Sequence, residues 1–294
     1  MNSAKAVLIT ACPACRIKFT RKGDSLFCPG CGAEYRIING VPHIIPLASL
    51  KGISAKLELI DELEKGSLIR KFFPSGTFLN NLAHKIYEPE LFVDLAKKRL
   101  LRLIKEAGPG ALILDLGSGP ARIGPETINF DITPFKNVDI VGDGLILPFQ
   151  NGTFDLVISR AVIEHVEAPE KLIGEIHRVL KDGGIVYLDA PFLQIKHAPL
   201  DYTRYTDRGL ENLMGRRFLK LETGIRFGPQ AALARFLREY ATLFTRVRIL
   251  SKLFKLTVSW ALYPFKFLDH LLGRCGQAAR LSYHLYYIGR KTID

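Results

Sequence analysis

The chain has 294 residues, 48% of them hydrophobic, with 41 Lys and Arg against 29 Asp and Glu for a formal charge of +12. This length suggests about two domains, and the apolar content is ample for a core. No uncharged run in the C-terminal part is long enough to span a bilayer, and Met1–Thr10 has neither a basic start leading into a long apolar stretch nor a small-residue cleavage site, so the chain is expected in the cytoplasm. The charge is uneven. Residues 1–47 carry 6 basic and 2 acidic residues, 48–228 carry 24 of each, and 229–294 carry 11 and 3, so the two ends are the parts expected to face something anionic.

The first element in chain order is "CPACRIKFTRKGDSLFCPGC", which places Cys12 and Cys15 in one C-x-x-C knuckle and Cys28 and Cys31 in another. Two such knuckles can bring four thiolates to the corners of a tetrahedron, the geometry of a closed structural zinc site. Two disulfides are the alternative, and a reducing cytoplasm disfavours them. A unit over 1–47 has too few apolar residues to fold well without metal. Residues 48–110 read as helices, the clearest being "PELFVDLAKKRLLRLIKEAG", with Leu91, Leu95, Leu100, Leu103 and Ile104 on one side and Gly108 as its stop.

Next comes "ILDLGSGPARIGPETINFDI", a strand that ends in a glycine turn and is followed closely by a second acid. A dinucleotide fingerprint needs a third glycine where Arg122 stands. A phosphate-binding P-loop needs a Gly-Lys-Ser/Thr that does not follow. What remains is a ligand with a ribose and no pyrophosphate, or an ordinary turn with a structural aspartate. On the first reading Gly117 and Gly119 let backbone pass close to the ligand, and Asp131 points a carboxylate at the ribose hydroxyls. The apolar runs Val138–Val141 and Phe154–Ser159 read as buried parallel strands, with Asp143 placed to accept a hydrogen bond from an adenine amino group. Leu172, Ile176, Val179 and Leu180 recur at helical spacing, Gly183 and Gly184 are expected to end that helix, and "IVYLDAPF" is the next strand. The alternation implies right-handed crossovers in a doubly wound parallel α/β sheet.

Beyond that strand, "QIKHAPLDYTRYTDRGL" concentrates His197, Asp201, Tyr202, Arg204 and Tyr205 where ligands bind in open α/β sheets. His197 or His165 is a candidate base. Either Arg204 holds an anionic acceptor, or Asp201 and Arg204 pair to fasten the loop. After a sixth strand, "RFLKLETGIR", comes a helical insertion at about 229–280, and "LSYHLYYIGRK" reads as the last strand. In the insertion Arg235, Arg238, Arg248, Lys252 and Lys255 fall on one stripe, and Leu233, Phe236, Leu237, Tyr240, Phe244 and Val247 line another side. With Trp260 and Tyr263 near its end, such a helix suits the plane of an anionic membrane surface. The other reading is a helix packed on its own domain with a solvated basic face.

Taken together, "ILDLGSG", "INFDI", "GDGLILPF", "FDLVISRAVIEHV" and "VLKDGGIVYLDAP" resemble, in that order, the class I S-adenosylmethionine-dependent methyltransferases of the general methyltransferase-domain type, over about Ala111–Phe192. The resemblance implies a mostly parallel, seven-stranded Rossmann-like sheet over 111–294. It implies that Asp115, Gly117, Ser118 and Gly119 lie along the methionine part of the cofactor, Asp131 binds the ribose, Asp143 and Gly144 contact adenine, and Arg160 and His165 border the sulfonium. One departure stands out: the family places a helix between the glycine loop and the ribose-binding acid, and "PARIGPET" is too short and too rich in proline for one.

Residues 11–46 resemble the small zinc ribbon that, as a separate subunit, activates methyltransferases acting on tRNA, rRNA and release factors. Three functions are therefore in competition: a methyltransferase for a small molecule, lipid or lipid-linked glycan near a membrane, an RNA methyltransferase using the basic ribbon, and a non-catalytic binding module. The fourth strand ends in "SRAVIEHV" without the Asn/Asp-Pro-Pro-Tyr/Phe tetrapeptide of many amino-directed nucleic-acid methyltransferases, which counts against the second.

Overall fold

A computed structural model describes residues 7–46 and 91–292. The helices expected between 48 and 90 lie outside these residues. Among those described, eleven strands run in one hydrogen-bonded order, β1-β2-β3-β4-β7-β6-β5-β8-β9-β11-β10. The first four, β1 (Thr20–Lys22), β2 (Ser25–Phe27), β3 (Glu34–Ile38) and β4 (Val41–Ile44), form the antiparallel ribbon. The other seven are β5 (Ile113–Leu116), β6 (Thr127–Asp131), β7 (Ile140–Gly142), β8 (Phe154–Arg160), β9 (Leu180–Pro191), β10 (Phe218–Phe227) and β11 (His284–Lys291). Of these, β7, β6, β5, β8 and β9 pair in parallel, and β11 runs antiparallel between β9 and β10. This is the expected seven-stranded Rossmann-like sheet.

The ribbon is not merely docked on that sheet but continues it. Strand β4 pairs in parallel with β7, His43 opposite Val141 and Ile44 opposite Gly142. The Ala11 amide donates to Pro148 O at 2.8 Å. Arg16 follows the first knuckle in a left-handed conformation, φ 63°, and donates to Leu147 O at 2.7 Å while pairing with Glu175 at 3.4 Å.

Strand β5 shows why the sheet is buried on both faces. Its side chains alternate, so Leu114 and Leu116 join a core with Phe130, Phe149 and Ile176, while Ile113 packs on the other side with Leu100, Leu103 and Tyr187. Leu100 and Leu103 belong to α1 (Lys97–Glu106). This helix begins later than its apolar spacing predicts, because Asp94 holds the preceding turn by accepting from the Ala96 amide at 3.1 Å. Gly108, at φ 84°, follows its end as expected.

Helix α2 (Pro169–Val179) ends four residues before the Gly183–Gly184 stop read from the sequence. The amides of Gly152 and Thr153 take the carbonyls of Arg178 and Val179 at 3.0 and 2.7 Å. Leu180 then pairs with Phe154 on β8, and Lys181 Nζ binds both carboxylate oxygens of Asp155 at 2.8 and 2.9 Å. The glycines shape an irregularity within β9 instead.

Residues 117–126 form turns and no helix, as the sequence departure implied. Parallel neighbours are usually joined through a longer, helical crossover. Here Arg122 does the fastening, donating to the carbonyls of Thr127 and Asn137 and to Asp139 Oδ2 at 2.8 Å.

The insertion is three helices, not one: α3 (Asp207–Met214) precedes β10, and α4 (Pro229–Tyr240), α5 (Arg248–Leu262) and the short α6 (Asp269–Leu272) follow it, with 3-10 turns at Ala241–Phe244, Tyr263–Leu268 and Ala278–Leu281. The expected basic stripe is consequently broken. Arg238 is buried against Glu239, Lys255 pairs with Glu239 at 2.7 Å, and Arg235 lies over the Phe92 ring at 5.6 Å. Much of the apolar side is exposed, with Leu243 and Phe244 in the turn 76% and 72% accessible, while α4 packs through Ala231, Ala232 and Ala234. No helix among the described residues is long and apolar enough to cross a membrane.

A buried ion cluster ties β9 to β10 and β11. Asp189 is fully buried, with Arg226 Nη1 at 2.6 Å and His284 Nδ1 at 3.3 Å, and Arg226 also reaches Asp94 at 3.2 Å. Burial alone would raise the Asp189 pKa, but the Arg226 guanidinium and the His284 hydrogen bond outweigh it and hold the pKa below its usual value. Its folded value is therefore depressed, so its contribution is present above about pH 4, the unfolded carboxylate value, and is lost as pH falls through the folded value. Asp189→Asn should lower the unfolding free energy by about 3 kcal/mol at pH 7, since it leaves a buried cation short of a partner. Urea unfolding at pH 7 checks this.

Candidate functional site

The carboxyl ends of β5, β6, β7 and β8 surround a cavity of about 470 Å³. Its floor is glycine-rich for a steric reason. Gly117 sits at φ 70°, and a Cβ there would lie 2.3 Å from Val162 Cγ2; a Cβ on Gly144 would lie 3.2 Å from Leu172 Cδ1. The Gly117 amide donates to Phe130 O at 2.8 Å, turning the chain back over β6.

Asp131 closes that turn. Its Oδ2 accepts from the Gly119 amide at 2.8 Å and its Oδ1 from the Thr133 amide at 2.9 Å. Burial raises its pKa, and these amides work in the opposite direction. Each carboxylate oxygen keeps a second lone pair, and Asp131 lines the cavity. Asp143 and Gly144 line it too, with Asp143 Oδ1 accepting from the Leu145 amide at 2.9 Å.

The remaining cofactor candidates sit behind this lining. Asp115 is fully buried, with Arg160 Nη2 at 3.4 Å from Oδ2 and no partner for Oδ1. Burial pushes its pKa up to about 6 although Arg160 opposes it. Ser118 is buried, donating weakly to Gly119 O at 3.3 Å. Gly117, Asp131, Asp143, Gly144 and His165 thus share the cavity wall, whereas Asp115, Ser118, Gly119 and Arg160 do not reach it.

The acceptor-side candidates form a second group. His165 lines the cavity and its Nδ1 lies 2.6 Å from Leu200 O. His197 Nε2 stands 3.2 Å from His165 Nε2, and His197 Nδ1 is 3.0 Å from Asp201 Oδ2. All five Arg204 donors are occupied: Nε by Gln194 O, and the two terminal nitrogens by Ile195 O, Thr203 O and both Asp201 oxygens. That corrects the anion-holding role considered for Arg204, since no N–H is left for an acceptor; the residue fastens the loop. Asp201 is held well below the usual carboxylate range: burial would raise it, and the Arg204 bonds dominate.

Sequence reasoning missed Glu164. It is fully buried, neither carboxylate oxygen has a hydrogen-bond partner, and burial pushes its pKa up to about 8. The available signal was a charged residue inside the apolar run "AVIEHV".

In the ribbon, Cys12 Sγ and Cys31 Sγ are 3.6 Å apart and Cys15 Sγ and Cys28 Sγ 3.2 Å, with all four sulfurs within 4.8 Å of one another. Four thiolates at about 2.3 Å from one tetrahedral ion would be about 3.8 Å apart. The separations exceed a disulfide's roughly 2.05 Å, so the set fits a four-thiolate ion site.

Residues 114–188 match the family model described as a methyltransferase domain. That segment is a class I methyltransferase domain. The match spans β5 to β9 and so includes the glycine turn, Asp131, Asp143 and the Glu164–His165 pair. Norajmaline N-methyltransferase of Rauvolfia serpentina is 48% identical over 48 residues, covering 16% of each chain. Demethylmenaquinone methyltransferase of Thermus thermophilus is 30% identical over 106 residues, covering 35% of this chain and 48% of that one. The chain thus spans less than half the length of either curated relative. Among solved structures, a sarcosine dimethylglycine methyltransferase from Galdieria sulphuraria is 15% identical with a TM-score of 0.43, covering 67% of this chain and 83% of that one. The matched residues supply most of the cavity wall, and Ala198, Pro199 and Leu200 complete it from outside the match; the ribbon and the helical insertion also lie outside the matched residues.

Proposed function

We propose that the protein is an S-adenosylmethionine-dependent methyltransferase whose acceptor is a small molecule, lipid or lipid-linked glycan presented at a membrane surface. The observation that carries the first half is the closure of the glycine turn by Asp131 inside the matched domain. It leaves a carboxylate with free lone pairs on a wall where a Cβ at Gly117 or Gly144 would press on Val162 or Leu172. On this reading Asp131 accepts the ribose hydroxyls, Asp143 and Gly144 lie along adenine, and the buried, half-partnered Asp115 faces the positive end of the cofactor from behind the turn. S-adenosylmethionine supplies a methyl group already activated by its sulfonium. The protein's own tasks are to align the acceptor and to deal with its proton. Glu164, His165 and His197 stand where that proton must be handled.

The acceptor reading rests on the insertion. Residues 229–281 hold nine basic and two acidic residues. Both acids are turned inward: Asp269 accepts from the Gln230 and Ala231 amides at the start of α4, and Glu239 pairs with Arg238 and Lys255. The outward charge is therefore positive, from Arg246, Arg248, Arg274 and Arg280, interleaved with exposed Phe236, Phe244, Ile249, Trp260, Phe265 and Leu271. A contiguous apolar surface of this kind marks an interaction site, and its mixture with arginine suits an anionic bilayer interface. A hollow of about 600 Å³ lined by Phe192, Leu193, Ile195, Leu233, Phe236 and Leu272 joins this surface to the loop that carries His197, a fitting berth for an acceptor's apolar tail. In the ribbon, the four thiolates would hold a structural zinc.

Asp131→Asn should weaken S-adenosylmethionine binding at least tenfold in calorimetry, because charge-assisted bonds are worth about 1.5–3 kcal/mol each and 1.4 kcal/mol is tenfold. Unchanged affinity would remove the ribose site from Asp131.

The wild-type chain should sediment with phosphatidylglycerol-containing vesicles at low salt. Phe236→Ser with Phe244→Ser should weaken this strongly, and reversing Arg246, Arg248 and Lys252 to Glu should abolish it, each cation contributing about 1 kcal/mol. Indifference to vesicles combined with salt-sensitive RNA binding would favour the ribbon, whose Lys18, Arg21, Lys22 and Arg36 are exposed, as an RNA contact instead.

A further inference from the structure

The turn Ile163–His165 follows β8, and the loop bearing His197 follows β9, so two neighbouring strand ends bring Glu164, His165 and His197 together. The Tyr202 amide donates to Glu164 O at 2.8 Å and ties the loop to the turn. Each imidazole is fixed from behind. His165 Nδ1 meets Leu200 O at 2.6 Å, and a carbonyl only accepts, so that nitrogen carries the proton. His197 Nδ1 faces Asp201 Oδ2 at 3.0 Å, a carboxylate kept ionised by Arg204, which favours a proton there as well.

With both protons on Nδ1, the two Nε2 lone pairs point at each other across 3.2 Å. In these neutral tautomers neither ring offers the other a donor. Beside them the fully buried Glu164 carboxylate has no hydrogen-bond partner on either oxygen, with Oε1 3.9 Å from His165 Nε2. One ligand atom from each of the three residues lies within 4.8 Å of the others. A cation resolves both frustrations. Two imidazole nitrogens at about 2.1 Å from one ion and 3.2 Å apart subtend about 100°. An acceptor behind each ring nitrogen distal to the ion is also how metal-bound histidines are oriented.

We infer that Glu164, His165 and His197 bind a divalent first-row transition-metal cation at the mouth of the cavity, where an oxygen of the methyl acceptor completes its coordination. Two imidazoles and one carboxylate leave positions open, and His165 lines the cavity, so the open side faces the space where the acceptor must come. The donor set selects manganese, iron or zinc over calcium and magnesium, which prefer oxygen. The cation's existence is independent of the methyltransferase reading; only the acceptor's part in it rests on that reading, and it points to a hydroxyl or enol rather than an amine.

The test is a Mn²⁺ titration of the full-length protein followed by electron paramagnetic resonance, without S-adenosylmethionine. Manganese is chosen because the soft thiolates of the ribbon disfavour it. One Mn²⁺ per chain should bind, with affinity reduced at least tenfold by His197→Ala and by Glu164→Gln; Gln nearly matches Glu in shape, so Glu164→Gln keeps the test valid should His197→Ala disturb the loop. Asp201→Asn, which weakens the acceptor behind His197 Nδ1 and also one partner of Arg204, should cost about 10–100-fold. Absence of Mn²⁺ binding, or binding indifferent to both His197→Ala and Glu164→Gln, overturns the site. A parallel S-adenosylmethionine titration separates the two readings: cofactor binding without Mn²⁺ binding sinks the cation alone, and variant-sensitive Mn²⁺ binding without cofactor binding upholds the cation while the methyltransferase reading falls.

Discussion

The pair of hydrogen bonds that Asp131 accepts from the amides of Gly119 and Thr133 is the constraint around which the cavity is built. It joins the turn after β5 to the end of β6 with no helix between them, so the carboxylate does part of the work a longer crossover would do. Arg122 does the rest by gathering Thr127 O, Asn137 O and Asp139. A short connection held by polar bonds tolerates less variation than a helix held by apolar packing, because each bond has one geometry that satisfies it.

The ribbon acts on the same cavity from the sheet edge. Its last strand pairs with β7, whose carboxyl end leads directly into Asp143 and Gly144, and Arg16 beside the first cysteine knuckle reaches Leu147 and Glu175. A Cβ on Gly142 would lie 3.2 Å from Ile44 O, so this edge is closely fitted. The fold of the ribbon and the shape of the cavity's far wall are therefore mechanically linked. The same pairing covers an edge that would otherwise offer unpaired backbone groups.

Much of this was legible in the sequence, and the reasons are local. Alternating or continuous apolar runs gave away β5, β6, β8 and β9, and the paired knuckles gave away the four-thiolate set. Positive φ at Gly117 and Gly119 is the kind of requirement only glycine meets cheaply. What was not legible depends on distant residues. The early end of α2 is imposed by Gly152, Thr153 and Asp155 from another segment. Periodicity showed that residues 233–247 have two sides, but not that the apolar one faces out, since that is decided by Glu239, Asp269 and the Phe92 ring. For Arg204 the sequence offered both an anion holder and an Asp201 pair; the pair is the one formed, and the loop carbonyls that take its other donors are announced by no side-chain pattern.

The loop after β9 and the exposed helices meet at one hollow, which is separate from the cavity at the strand ends. The methyltransferase function presupposes that the cavity is where the cofactor sits. Hydrogen–deuterium exchange with and without S-adenosylhomocysteine measures this most directly. Exchange should slow at residues 117–119, 131–133 and 143–145 on addition of the ligand. Unaltered exchange there, or protection confined to other segments, would contradict the account.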